Sequence, residues 1–240
     1  MVMRTLDEST KKLFTNLKTK STALSPVSSS HALKSSSGIP VFMVCTSWGS
    51  PYMVYGPSGS PTALYFLDPE DAHQMVQEYL QLMPATGGNS VHIMTTSMER
   101  ALRHATGRNL PTGSIGEDGK VEVMEYRLVG STREKWEAEK RIGVETSIPV
   151  FGVEGMNTKK GEAMLFFSRR DLTEAWRKLG VSKDMPQVEV FDFVQVLKAM
   201  DEGEGGEEVK VKFVPCKGGK VFKEEISKTG NGKARLKPMR

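Results

Sequence analysis

The sequence predicts an α/β (α+β) chain of two duplicated halves, each a β-hairpin followed by β-α-β-α-β, related by a pseudo-two-fold axis. Three observations predict it. Ile39-Pro40-Val41-Phe42 returns as Ile148-Pro149-Val150-Phe151. The apolar run Ala63-Leu64-Tyr65-Phe66-Leu67 is answered by Ala163-Met164-Leu165-Phe166-Phe167, and a helix cap follows each. The next helices then repeat their buried faces: Ala72, Met75, Val76 and Tyr79 in the first half, Leu172, Ala175, Trp176 and Leu179 in the second. Both sets have the i, i+3, i+4, i+7 spacing of one helical face. One such half would leave a sheet face poorly covered, whereas two can bury those faces against each other.

In chain order, residues 1–37 form a basic, Ser-rich segment. A short helix is expected over Thr5–Lys20, and Ser21–Gly38 has linker composition. Few acids and many hydroxyls also fit the remnant of an organelle transit peptide, although Asp7 and Glu8 argue against a complete one. Residues 38–130 form the first half. Ile39–Thr46 is a β-branched strand in which Pro40 belongs at a start or an edge. Trp48-Gly49-Ser50-Pro51 supplies the turn, and Tyr52–Tyr55 closes a hairpin near the sheet edge. Thr62–Leu67 reads as a buried strand. Asp68 caps a helix with Pro69 in its first turn, where the missing N–H costs nothing. Ser90–Thr95 is the next strand, and Ser97 caps a helix buried through Met98, Ala101, Leu102 and Ala105. A long irregular link, 107–120, leads to strand Val121–Val129.

The second half, residues 131–216, opens with Ser131 and Glu134, a capping box for a helix to about Ile142. Strand 148–151, a hairpin loop at Gly155–Gly161 and strand Glu162–Phe167 follow. Ser168 caps a helix that Gly180 ends. Asp192 caps the last repeated helix, buried through Phe193, Val196, Leu197 and Met200. Val209–Val214 answers Val121–Val129. Residues 217–240 read as a basic tail with a hairpin at Gly218-Gly219.

Of the 240 residues, 38% are hydrophobic and 26% charged, and the formal net charge is +4. This length can bury a core without staples, and no run approaches the ~18 apolar residues of a membrane span. The charge is uneven. The N-terminal segment carries six Lys/Arg against two acids and the C-terminal segment eight against two, so the body between them carries −6. The basicity sits in the ends and does not describe a nucleic-acid face. Those ends are the expected place of any peripheral membrane contact. Cys45 and Cys216 lie far apart and show neither disulfide nor zinc spacing.

No constellation points to catalysis. Asp68, Glu70, Asp71 and His73 could be ligands, yet acids in a first helical turn are what capping favours. The matching stretch, Ser168-Arg169-Arg170-Asp171, is not a ligand set. Gly113–Lys120 is not a phosphate loop: it has one residue too many between its outer glycines, and it precedes a strand. His31 falls in the linker, His92 alternates outward from a strand, and His104 sits at a helix C-terminus, where a cation is welcome. There is neither G-x-S-x-G nor H-E-x-x-H. No cofactor and no metal are expected. The remaining signal is apolar. Phe42, Trp48, Tyr52, Met53 and Tyr55, with Phe151 in the second half, are the expected polypeptide contacts. Fourteen methionines add flexible apolar surface suited to promiscuous binding.

Across residues 39–200 the order of these motifs resembles the Tic proteins of twenty-two kilodaltons. The resemblance is carried by Ile39-Pro40-Val41-Phe42, by Leu67-Asp68-Pro69-Glu70-Asp71-Ala72, and by the second Ile148-Pro149-Val150-Phe151 with Leu165-Phe166-Phe167. It implies a soluble two-lobed α/β fold and a place in the chloroplast intermembrane space, or its equivalent in a complex plastid or a cyanobacterial periplasm. It also implies a non-enzymatic, chaperone-like role, in which apolar pockets hold unfolded preproteins passing between envelope translocon components. The alternative is an accessory subunit docked permanently in a larger plastid complex.

Overall fold

The computed structural model describes residue 33 and residues 35–55, 60–82, 91–107, 110–115, 119–180, 185–202 and 210–228. The expected helix over Thr5–Lys20 and most of the Ser-rich linker lie outside the described residues. The chain divides into two compact units. One is built from residues 40–129 and the C-terminal segment from Gly218. The other is built from residues 130–217 and the N-terminal segment to Ile39.

The 40–129 unit holds a mixed sheet of β1 (Pro40–Thr46), β2 (Met53–Tyr55), β3 (Pro61–Phe66), β4 (Val91–Ser97), β5 (Leu110–Ile115) and β6 (Val121–Val129). Its order is β4-β1-β3-β6-β5, and β2 also pairs with β3. Strand alternation sorts the side chains onto two faces. Phe42, Val44, Phe66, Val91 and Ile93 pack under α1 (Pro69–Leu82) through Ala72 and Val76. Tyr65 belongs to the opposite face, where it meets His104 of α2 (Met98–Thr106). Asp68 Oδ1 accepts from the Glu70 amide at 3.0 Å, and Ser97 Oγ from the Arg100 amide at 3.3 Å, as their cap positions require.

The 130–217 unit holds β7 (Pro149–Gly152), β8 (Ala163–Phe166), β9 (Glu189–Asp192) and β10 (Val211–Val214), in the order β10-β8-β7-β9. Phe151, Val153, Phe166 and Val190 pack with Leu172 and Trp176 of α4 (Arg169–Leu179). The same cluster takes in Ala138. That residue opens the π-helical turn Ala138–Ile142, which continues α3 (Thr132–Glu137). Gly143, at φ 77°, ends the turn in the left-handed conformation that glycine adopts without a Cβ penalty. A second aromatic group joins α5 (Phe193–Glu202) to the sheet. Phe193 lies edge-on to Phe167 at 5.1 Å and to Phe213 at 5.0 Å.

The two units share a strand scheme. In each, the Ile-Pro-Val-Phe strand lies between two antiparallel partners, β4 and β3 or β9 and β8. Of these partners, β3 and β8 in turn pair in parallel with β6 and β10. Phe42 is opposite Phe66 and Phe151 opposite Phe166. Pro40 is opposite Ser97 and Pro149 opposite Asp192, and each of those partners caps the next helix.

Four expectations need correction. β1 is an interior strand, and the expected hairpin returns on it only through the Cys45–Pro51 bridge, while β2 pairs antiparallel with β3. The 107–120 link contains β5, which tolerates Pro111 and Gly113 because it lies at the sheet edge. His92 is buried and does not point out to solvent. Lys217–Lys228 is a helix, α6, where a hairpin was expected, and its Phe222 packs on the Phe42 cluster.

Candidate polypeptide-binding surface

The expected contacts fall into two groups. Phe42 and Phe151 are fully buried core residues, closed in by the helices above their sheets. Trp48, Tyr52, Met53 and Tyr55 are brought together by one short stretch of backbone. The Thr46 amide donates to the Ser50 carbonyl at 2.8 Å, and the Gly49 amide to the Thr46 carbonyl at 2.9 Å. Gly49, at φ 85°, makes this tight reversal possible. The turn projects Trp48 into solvent at 92% exposure. Tyr52 then donates its amide to the Val44 carbonyl, and its ring rests edge-on against Tyr79 of α1 at 5.0 Å. In β2, Met53 is half-buried opposite Ala63, and Tyr55 is 66% exposed opposite Pro61. The stretch therefore offers a free indole and a free phenol on a base anchored by Tyr52. Aromatic side chains of this kind supply contact area at little cost in conformational entropy.

A second exposed apolar group was not anticipated. Ile115 is opposite Val121 and Pro111 opposite Val123, and Ile115, Val121 and Val123 are all exposed on the β5–β6 ribbon. The signal available in sequence was the alternation of Val121 and Val123 with Glu122 and Met124, read there only as strand content. In the other unit Trp136 is exposed beside Arg141, whose guanidinium stands 5.8 Å from the ring centre.

The neighbouring cleft, of about 270 Å³, is walled mainly by charged side chains, not by the apolar ones expected of a polypeptide pocket. It is lined by Arg133, Glu134, Glu137, Arg169, Arg170 and Thr173. Glu137 takes Arg169 at 2.7 Å and Arg141 at 3.1 Å. Glu134 accepts from Arg133 and from the Arg169 amide at the start of α4. These contacts use the carboxylates to fasten α3 to α4.

The groups best placed for acid–base work are held neutral. Tyr65 hydrogen-bonds His104 Nδ1 at 2.7 Å, and Tyr126 stacks on Tyr65 at 5.6 Å. Burial raises both phenols. Burial, then Arg100, lowers His104, so the cation expected at this helix end does not form at neutral pH. Burial also pushes the Cys45 thiol up to about 11, which leaves little reactive thiolate. Asp68 serves as a cap, and His73 Nδ1 lies 2.8 Å from the Pro69 carbonyl of its own helix.

No family model matches the sequence, and no curated protein matches it. Solved structures do. The fold is that of Tic22 from Plasmodium falciparum, with a TM-score of 0.67 at 22% identity over 83% of this chain and 98% of that one. It is also that of Anabaena Tic22, a protein described as acting in protein transport, with a TM-score of 0.55 at 13% identity over 87% and 97% of the two chains. The resemblance to the Tic proteins of twenty-two kilodaltons is therefore shown in the fold.

Proposed function

We propose that this chain, built on the Tic22 fold, is a non-enzymatic, chaperone-like protein that binds unfolded preproteins crossing a plastid envelope. Its place of action in this reading is the intermembrane space, beside the envelope translocon components. The observation that carries the proposal is a fold shared over most of both chains with a protein described as acting in protein transport. Analogy of fold alone does not define an activity. The second support is therefore the aromatic turn at Trp48, Tyr52, Met53 and Tyr55, a rigid apolar anchor without acid–base chemistry around it. Phe42 and Phe151 take part only where the helices above them move aside. In the same reading the shared strand scheme descends from an internal duplication. One copy then gained β2 and β5, and with them most of the exposed apolar surface.

Light scattering from an aggregating client tests the binding role. Suppression that grows with the amount of folded protein is expected. No suppression at several-fold excess would remove the proposal. Fractionation of plastid envelopes tests the location: recovery in the stroma or the cytosol would contradict it.

A further inference from the structure

We propose that Arg100, His104, Tyr65 and Tyr126 form a binding site for a small oxyanion, a carboxylate or a phosphate, on the α2 side of the 40–129 sheet. The inference goes beyond the polypeptide-binding reading and does not depend on it.

The site has a buried floor and an open rim. Tyr65 is the floor, 1% exposed, and its hydroxyl lies 2.7 Å from His104 Nδ1. Tyr126 of β6 and His104 of α2 are half-buried. The Tyr126 ring lies nearly parallel to that of Tyr65, with centres 5.6 Å apart, and its centre is 4.9 Å from that of the imidazole. Arg100 is exposed and stands four residues before His104, which puts both on one face of α2. Burial acts first on the ionisation of His104, Tyr65 and Tyr126, and the Arg100 charge acts on all three in addition. The guanidinium therefore lies beside the whole cluster.

The cluster is rich in donors and lacks a carboxylate. Arg103, on the same helix, is bonded to Glu99 at 3.1 Å. Arg100 has no such ion pair, and the Tyr126 hydroxyl no hydrogen bond, among the described residues. Tyr65 and a neutral His104 hold two polar hydrogens between them and use one in the bond they share. One is left to donate, whichever way that bond runs. Glu122 has the parity of Tyr126 on β6, but four residues of strand put it roughly 13 Å away. Glu99 is already taken by Arg103. A guanidinium presents paired N–H groups that match a carboxylate or a phosphate, and the phenol and the spare hydrogen add donors to the same ligand. A cation would meet the charge of Arg100 instead.

The fold itself does not call for these groups. In the 130–217 unit the shared strand scheme sets Val211 opposite Ala163, where Tyr126 is opposite Ala63. Leu165, two residues along β8, stands where Tyr65 stands on β3. Counted from the caps Asp192 and Ser97, α5 has Gln195 and Ala199 where α2 has Arg100 and His104. The same scaffold thus packs without a charge, a phenol or an imidazole at any of the four positions. The polar set of the 40–129 unit is surplus to packing.

NMR of the His104 imidazole in the full-length protein tests the site. Sodium chloride, sodium acetate and inorganic phosphate are compared at constant pH and matched ionic strength. The His104 signal is expected to shift to saturation with phosphate or acetate, with a dissociation constant in the millimolar range. Its titration midpoint should rise in the same salt, because a bound anion offsets the Arg100 charge. Saturation with both salts supports a general oxyanion site, and saturation with one of them supports that class alone. A response to both salts no greater than that to chloride overturns the proposal. Arg100→Gln changes an exposed helical position and should weaken binding at least about tenfold, the loss of a charge-assisted hydrogen bond. Tyr126→Phe keeps the ring and should weaken it about fivefold. Arg103→Gln removes an equal charge from the same helix and should leave binding nearly unchanged. Equal binding by wild type and Arg100→Gln overturns the site. Equal loss in Arg100→Gln and Arg103→Gln also overturns it, since any charge on the helix would then serve.

Discussion

The Tyr65 hydroxyl lies 2.7 Å from His104 Nδ1, a hydrogen bond between a buried phenol that stays protonated and the imidazole at the end of α2. Burial, then Arg100, holds the His104 pKa below its ordinary 6.5. The unfolded histidine takes up a proton near 6.5 and the folded one does not. This residue's contribution to stability is therefore complete above pH 6.5 and shrinks as pH falls from there through the folded pKa. NMR titration should give His104 a midpoint under 6.5. Arg100→Gln should raise that midpoint, and Tyr65→Phe should lower stability by about 1 kcal/mol. An ordinary midpoint in both proteins would show that the cluster does not hold the ring neutral.

Glu134 is 3% exposed, and its carboxylate accepts from the first amide of α4 and from Arg133. Glu134→Ala should cost about 2 kcal/mol, since it strands a part-buried helix-terminal amide and removes the partner of Arg133 at this end of α4. Glu134→Gln keeps one acceptor oxygen and should cost less. Urea unfolding orders the three proteins; alanine and glutamine variants of equal stability would rule out a role for the carboxylate as an inter-helix cap.

Asp192 carries four hydrogen bonds. Oδ1 accepts from the amides of Val194 and Gln195, and Oδ2 from Thr146 at 2.6 Å and Ser147 at 3.0 Å. Asp192→Ala should destabilise by about 3 kcal/mol, and Thr146→Val by about 1 kcal/mol. A double-mutant cycle should find the two coupled, and strict additivity would contradict the shared acceptor.

Trp48 and Phe151 should behave as opposites. Trp48→Ser should leave stability within about 0.5 kcal/mol and weaken suppression of client aggregation. Phe151→Ala should cost about 3–5 kcal/mol, as expected for a fully buried aromatic. Unchanged suppression by folded Trp48→Ser would take the aromatic turn out of the proposed surface.

Local chemistry made much of the fold legible. Ser97, Ser131, Ser168 and Asp192 were readable as caps because capping depends on neighbours within three residues, and each accepts the hydrogen bond its position implies. The buried faces of α1, α2, α4 and α5 were readable from helical period. What failed depended on distant partners. Pro111 and Gly113 argue against a strand until the strand is known to lie at an edge. Gly218 and Gly219 argue against a helix until Phe222 finds Phe42. Trp48, Tyr52, Met53 and Tyr55 were placed together because they are neighbours in sequence. Phe42 and Phe151 stand out through repetition, which marks a residue as important without saying whether it faces solvent or core, and both lie in the core.

The path of the chain through its units has a consequence during synthesis. Phe42 leaves the ribosome 180 residues before Phe222, the ring that covers it. Residues 130–217 are all made in the interval. Throughout elongation the β1 surface has α1 above it but not Phe222, whose side of the cluster is covered last. The apolar cluster of the 40–129 unit is thus completed only when the far end of the chain has been made.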